Sequence, residues 1–454
     1  MPQGPEGESG GKADAARRTL FSGLIAAITW MGQEYPQVPL GASREGIKLW
    51  YSAEVAGVPA QYLVLAGTLS LLAPYILMRQ RIALIPLLRR LGLWRWIVLV
   101  WLTLTVSLAM GIVKGAPELF VDWRNWVVVA VCTWATATWL SGRSWARNVM
   151  GDLAVAYGLI SFVHIVLWAF GAGVTYYGIR IPVFYGFNLL LAGFGSFVAI
   201  DMWMTGLRTF GWAYTAAVRL GAISGALVIA LSFRRFAWLF LTAGLVLCVV
   251  IALRRRLLTV GRGVATALGV LIVTSFAVST IGPEAIVARA SSILPSADNQ
   301  YSNTNYDHVN DLLDALDVVA DEPLFGIGIG TTYQTQRISE WKTKSFDVHN
   351  AFLHVWLKFG LLGLVTYVGF HARLILSLLG FNPSAAFPGF AGCGVFFLAE
   401  VIPAVMQTWP YASFQLTVHR GVVLGVAIVA VSTMTTGAAD HLRPARKTRS
   451  LVPA

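Results

Sequence analysis

The sequence predicts an all-α polytopic membrane protein with about twelve transmembrane helices and one large extracytoplasmic loop between helices nine and ten. Three observations predict it. Of 454 residues, 56% are apolar and only 12% are Asp, Glu, Lys or Arg, where an ordinary soluble domain carries about 25% charged residues. Seventeen Trp and a mean hydropathy of +0.66 point the same way. The basic residues fall in short clusters between apolar runs: Arg79, Arg81, Arg89 and Arg90, then Arg143 and Arg147, then Arg254, Arg255, Arg256 and Arg262. A nucleic-acid binder would gather its charge on one soluble module with interleaved aromatics. The net charge of +12 is instead a topology signal of the positive-inside kind.

A bilayer core of about 30 Å needs roughly 20 apolar residues per helix. On that ruler the spans run near 20–40, 56–78, 92–113, 124–140, 150–170, 181–205, 208–231, 235–253, 260–282, 350–373, 385–406 and 414–436. The first is interrupted by Gln33, Glu34 and Pro36. Residues 1–19 read as a disordered cytoplasmic tail whose Arg17-Arg18 pair anchors it inside, and 437–454 read as a basic cytoplasmic tail. With the N-terminus inside, 19 basic residues face the cytoplasm and 7 occupy short outer loops, so both tails are expected inside a cytoplasmic (inner) membrane. Cys132, Cys248 and Cys393 each sit in an apolar run without metal-ligand spacing and read as small buried hydrophobes.

Residues 283–348 are expected outside. This 66-residue segment holds ten acids and four bases, net −6 in a basic protein, and loops longer than about 15 residues are uncommon unless functional or disordered. Val309, Leu312, Leu313, Leu316 and Val319 recur as the stripe of an amphipathic helix. Asn305 or Thr304 is its expected cap and Pro323 its end. Phe325-Gly326-Ile327-Gly328-Ile329-Gly330 follows; it lacks the Lys-Ser/Thr of a P-loop and reads as a flexible turn.

Candidate chemistry gathers at the outer face. His349-Asn350 stands where span ten begins; a plain interfacial His with Asn350 starting the helix is the bland alternative. Arg234 and Arg235 begin span eight against the positive-inside grain, and guanidinium groups in such a place suit an anion; lipid-headgroup contact is the alternative. Lys358, about 13 Å beyond His349 along a helix, with Glu400 and Arg420, is expected in the outer half of the bilayer lining a cavity. A packing ion pair is the other reading of Glu400 with Arg420. His164 and Asp201 read as locally satisfied polar groups. No His-Glu-x-x-His, Cys-x-x-Cys pair or Gly-x-Ser-x-Gly occurs, so neither a metal nor another cofactor is expected.

Three strings carry a resemblance: Glu322-Pro323-Leu324-Phe325-Gly326-Ile327-Gly328, His349-Asn350-Ala351-Phe352-Leu353 and Gly360-Leu361-Leu362-Gly363-Leu364. Together they resemble the O-antigen ligase and O-antigen polymerase family. Arg235-Phe236-Ala237-Trp238-Leu239 is similar to that family's arginine motif at a span start, and Arg180 through Asn188 to an earlier one. The likeness covers roughly residues 175–375. It implies a GT-C-like membrane glycosyltransferase that takes a glycan from undecaprenyl diphosphate, with inversion and without metal, to a sugar hydroxyl of a glycan or lipid-glycan acceptor. Partners implied are the bilayer, a flippase and a chain-length regulator. By the same likeness His349 is the candidate general base, and Arg235 (or its neighbour Arg234) holds the diphosphate. The family's second loop arginine is His308 here; His308, Arg180 or Arg420 is then expected to take its place, while Arg289 fits the motif poorly. Polymerase and ligase share these motifs. A twelve-helix flippase or transporter is the competing class; it would predict paired repeats between halves, and none is evident.

Overall fold

The computed structural model describes residues 92–141, 148–176, 179–182, 186–205, 211–257, 259–291, 303–335, 348–380, 389–406 and 419–431, with isolated positions between 18 and 89 and the pair 344–345. The expected spans 20–40 and 56–78 and both tails lie almost wholly outside the described residues, as do Arg143, Arg147 and Arg208. Glu54–Val55 (β1) and Val58–Pro59 (β2) pair antiparallel, so the second expected span does not begin at residue 56.

From residue 92 onward the apolar runs become helices close to their expected bounds: α1 Trp94–Val113, α2 Leu119–Leu140, α3 Val149–Ala169, α4 Gly186–Thr205, α5 Trp212–Leu231, α6 Arg235–Arg254 and α7 Val260–Ile281. The loop holds α8 Pro283–Ser291 and α9 Asn303–Asp321; α10 Ala351–Gly380, α11 Phe390–Ala399, α12 Val401–Met406 and an apolar helix α13 at His419–Val431 follow. Among the described residues six helices (α1, α3, α5, α6, α7 and α10) are long and apolar enough to cross a membrane. The chain is a helical membrane protein. Ile181, the expected start of span six, instead ends strand β4 (Ile179–Ile181), which pairs with β3 Val174–Tyr176 as a hairpin ahead of α4. Pro182 follows directly, and the helix starts four residues later.

The core is built where α3, α4, α5, α6 and α11 converge. Tyr157, Phe194, Phe197, Phe240 and Phe396 meet there edge to face, with ring centroids 5.2–6.1 Å apart, a geometry that satisfies the aromatic quadrupoles. The three cysteines are free and buried.

Within the loop, α9 is amphipathic as expected but is rotated about its axis. Val319 is buried and Leu312 half-buried, whereas Val309, Leu313 and Leu316 are exposed; Asp311 and Ala315 are fully buried in their stead. A polar anchor decides the rotation: Asp311 makes the contacts described below, and the helix turns to deliver it. The helix also begins at Asn303, which places Thr304 and Asn305 inside its first turn rather than at its cap. Pro323 lies just beyond its end, as a residue without an amide N–H must.

Candidate functional site

Asn350 starts α10. Its Oδ1 accepts from Leu353 N at 2.9 Å and its carbonyl from His354 N at 2.8 Å, the geometry of an N-cap. The cap fixes the direction of the residue before it. His349 donates its backbone N–H (2.9 Å) and its Nδ1–H (3.0 Å) to the same Asp311 oxygen, Oδ2. The other oxygen accepts from Tyr333 Oη at 2.5 Å. Asp311 is wholly buried, while a quarter of the His349 side chain is exposed. A carboxylate taking three donors is an acceptor throughout, so Nδ1 carries the imidazole proton and Nε2 is left as the basic nitrogen. His308, one turn earlier on α9, tilts against His349 with ring centroids 4.3 Å apart. Asp311 is invisible in the sequence among ten loop acids. It lies off the apolar stripe of α9, so no local pattern marks it.

The glycine-rich segment after Pro323 is a docked element and not a flexible turn. Helix α10 breaks at Gly360 (φ 69°, ψ −174°), and the segment bonds to the backbone groups around the break. Pro323 O accepts from Leu361 N at 2.8 Å and from Trp356 Nε1 at 2.9 Å; Ile327 N donates to Leu357 O at 2.7 Å and Gly328 N to Lys358 O at 3.2 Å. Ile329 N donates to Ser107 O of α1 at 3.1 Å and Gly330 N to Asp122 Oδ2 of α2 at 3.0 Å. Irregular backbone at membrane depth is tolerated only when buried in protein and satisfied like this. A Cβ on Gly360 would overlap the Leu324 carbonyl, and one on Gly328 would come within 2.6 Å of Gly111 N, so both positions need glycine for close approach as well as for positive φ.

Lys358, expected to line a cavity, is fully buried, and its ammonium donates to Thr331 O. Ser107 Oγ donates to the Lys358 carbonyl at 2.7 Å. The side chain therefore pins the segment that runs on to Tyr333, and through Tyr333 to Asp311 and His349. It stands two residues before the helix break at Gly360.

The turn before α6 packs against the end of α7 and against α8, through Phe233 with Ile281, Ala285 and Ala288. At that turn α5 ends in Ser232, whose Oγ donates to Ile229 O (2.7 Å) and accepts from Arg234 N (3.3 Å). Phe233 is buried in the left-handed region (φ 56°), where a bulky side chain is strained. Arg234 caps α6 in extended conformation and Arg235 is its first residue; both are half-buried. Arginines at a helix N-terminus add to its positive end and make a strong field for an anion. Phe233 packs with Ile181 of β4 and with Trp238, Ile281, Ala285 and Ala288, and Arg289 Nε donates to Phe233 O at 3.4 Å. Arg180 stands exposed on the neighbouring hairpin, its guanidinium 5.7 Å from the Trp168 ring. Beside the turn, a cavity of about 700 Å³ runs between α4, α5, α6 and α7, from Trp238 and Ile286 at the arginine end past Ala226 and Leu241 to Arg219. Its lining is almost wholly apolar.

Glu400 and Arg420, the other expected cavity-lining residues, form a buried ion pair. The Arg420 guanidinium lies 5.1 Å from the Phe397 ring and 3.5 Å from His371 Nε2. His371 is twenty residues into α10 and eleven beyond its break at Gly360. The pair therefore ties the α11–α12 junction, where Glu400 stands, to α13, well down α10 from His349.

Residues 220–368 match the family described as O-Antigen ligase. The match covers about a third of the chain. No curated protein matches the chain. Ligase- or polymerase-type transfer of lipid-linked glycan is the general activity that this family carries, and its setting is the membrane. The matched segment contains the Arg234–Arg235 turn, Arg289, the His308–Asp311–His349 group and the helix break at Gly360. Arg180, Glu400 and Arg420 fall outside it.

Proposed function

We propose that this protein is an inverting glycosyltransferase of the O-antigen ligase or polymerase type, with about twelve spans in a GT-C-like arrangement in the cytoplasmic membrane. It acts with the α8–α9 loop on the extracytoplasmic face and both termini in the cytoplasm. The donor is a glycan linked to undecaprenyl diphosphate and the acceptor a sugar hydroxyl. The observation that carries this reading is the pairing of His349 with buried Asp311 inside the segment that matches the O-antigen ligase family: it leaves a basic Nε2 beside partly exposed surface, at the end of the loop whose helix α8 packs against the arginine turn.

In this mechanism Nε2 of His349 takes the proton of the acceptor hydroxyl as its oxygen attacks the anomeric carbon. The new C–O bond forms on the face opposite the breaking bond to the diphosphate oxygen, which gives inversion, and the electron pair leaves with the lipid diphosphate. Arg234 and Arg235 neutralise the charge that grows on that leaving group, without help from a metal ion. The apolar cavity leading from the arginine end down the helices suits the polyprenyl tail. Asp311 holds the imidazolium that forms.

The test is the surface glycan of a deletion strain complemented with wild type or His349→Ala. Lipid-linked single repeats without polymer identify a polymerase. Polymer held on undecaprenyl diphosphate and absent from its final acceptor identifies a ligase. An unchanged profile overturns the glycosyltransferase reading.

A further inference from the structure

Arg289 ends the short helix α8 with 3% of its surface exposed. Burying a guanidinium carries a desolvation cost, and this one is spent on a turn that already holds Arg234 and Arg235. Its Nε donates to the Phe233 carbonyl at 3.4 Å, and its Cζ lies 5.7 Å from the centre of the Phe233 ring. Phe233 is the residue in left-handed conformation that reverses the chain between α5 and α6. The ring is further held edge to face by Trp238 at 5.8 Å, and by Ile181 and the α8 alanines Ala285 and Ala288.

A side chain other than glycine relaxes out of the left-handed region unless its surroundings hold it. Relaxation at Phe233 would rotate the next peptide, and with it Arg234 at the cap and Arg235 at the first helical position. Ser232 Oγ on the Arg234 amide and Arg289 on the Phe233 carbonyl both hold the backbone of this turn. The second comes from the extracytoplasmic loop, as do the α8 alanines packed on the Phe233 ring. We propose that Arg289 is a positioning residue for anion binding: it clamps Phe233 in its left-handed turn and so sets the direction in which Arg234 and Arg235 point. The proposal rests on reading that pair as the group that binds the donor diphosphate. One loop then serves both halves of the reaction, since α8 fixes the arginines at its start and His349 closes its end.

The experiment is direct binding of undecaprenyl diphosphate to the full-length protein in detergent micelles. Four forms are compared: wild type, Arg289→Gln, the Arg234→Ala/Arg235→Ala pair, and all three substitutions together. Contacts that act through one another are not additive. Arg289→Gln is expected to weaken binding about tenfold, and to weaken it by less than about twofold once the arginine pair is gone. Arg289→Lys keeps a cation and a donor at the Phe233 carbonyl and is expected within about threefold of wild type. It also serves as the folded comparison should the Gln variant fail to elute as a single species.

Full additivity, with the combined form about a further tenfold weaker than the arginine-pair variant, overturns the positioning role, because Arg289 would then touch the diphosphate itself. Unchanged affinity for both Arg289 variants, with binding still lost on removing the pair, overturns the proposal and leaves the diphosphate reading standing. Unchanged affinity on removing the pair overturns the diphosphate reading, and the proposal with it.

Discussion

Asp311 Oδ2 receives two hydrogen bonds from His349, one from its backbone N–H and one from its ring, at 2.9 and 3.0 Å. The bond to the main chain fixes where the residue sits; the bond to the ring fixes which nitrogen is basic. The acid comes from 38 residues upstream, so the pair exists only when α9 has docked against the start of α10.

Replacing Asp311 with Asn keeps the shape but removes the negative charge that favours an Nδ1–H tautomer. Glycan transfer by Asp311→Asn is expected to fall at least tenfold, and by His349→Ala about 10²–10⁴-fold, the range of a lost general base. Both are measured as single-turnover rates with protein amounts matched by membrane content. Equal rates for wild type and Asp311→Asn would remove the dyad from the chemistry.

Gly360→Ala meets both the positive φ and the Leu324 carbonyl. It is expected to destabilise the protein by more than about 2 kcal/mol, the combined scale of left-handed strain and overpacking. Gly269→Ala is the comparison, lying inside regular helix α7 where an added Cβ meets nothing within 4 Å. Thermal unfolding in one detergent separates the two, and a Gly360→Ala midpoint no lower than that of Gly269→Ala would remove the docked break.

Lys358→Met preserves length and removes the donor to Thr331 O. Loss of a charge-assisted hydrogen bond costs about 1.5–3 kcal/mol, and the cost should fall on the segment it pins. Amide hydrogen exchange over residues 323–331 is expected to speed up while exchange in α3 and α4 stays unchanged. Uniform acceleration along the chain would mean that Lys358 serves global stability alone.

For Glu400 and Arg420, breaking one side of the buried pair leaves an uncompensated charge. Glu400→Gln or Arg420→Met is expected to cost about 3–5 kcal/mol, and the double variant to recover much of it. Transfer per folded molecule should remain near wild type in the double variant, because the pair lies far down α10 from His349. A hundredfold loss there would return these residues to the substrate cavity.

How much of this was legible in the chain differs from feature to feature. The spans from residue 92 onward were readable, because a run of about 20 apolar residues has few alternatives in a bilayer. His349-Asn350 and the Pro323–Gly328 string stood out as motifs, and the O-antigen ligase match covers them both. The rotation of α9 was not readable, since Val309, Leu313 and Leu316 carry the same periodicity as the residues that are buried. Asp311 and Arg289 were hidden for a related reason: an acid in an acidic loop and a base in a short helix have no distinguishing pattern until their partners arrive.

The sequence by itself determined that this chain lives in a membrane as a helical bundle, with one acidic loop and a His at its mouth. Those properties follow from local composition, which the bilayer reads residue by residue. Only the tertiary structure decided that Gly360 is a break filled by the Pro323 segment, that Lys358 and Glu400–Arg420 are internal ties, and that Asp311 orients His349. Each of those depends on backbone and side-chain groups far apart in the chain meeting within hydrogen-bonding distance, and no local pattern encodes such a meeting.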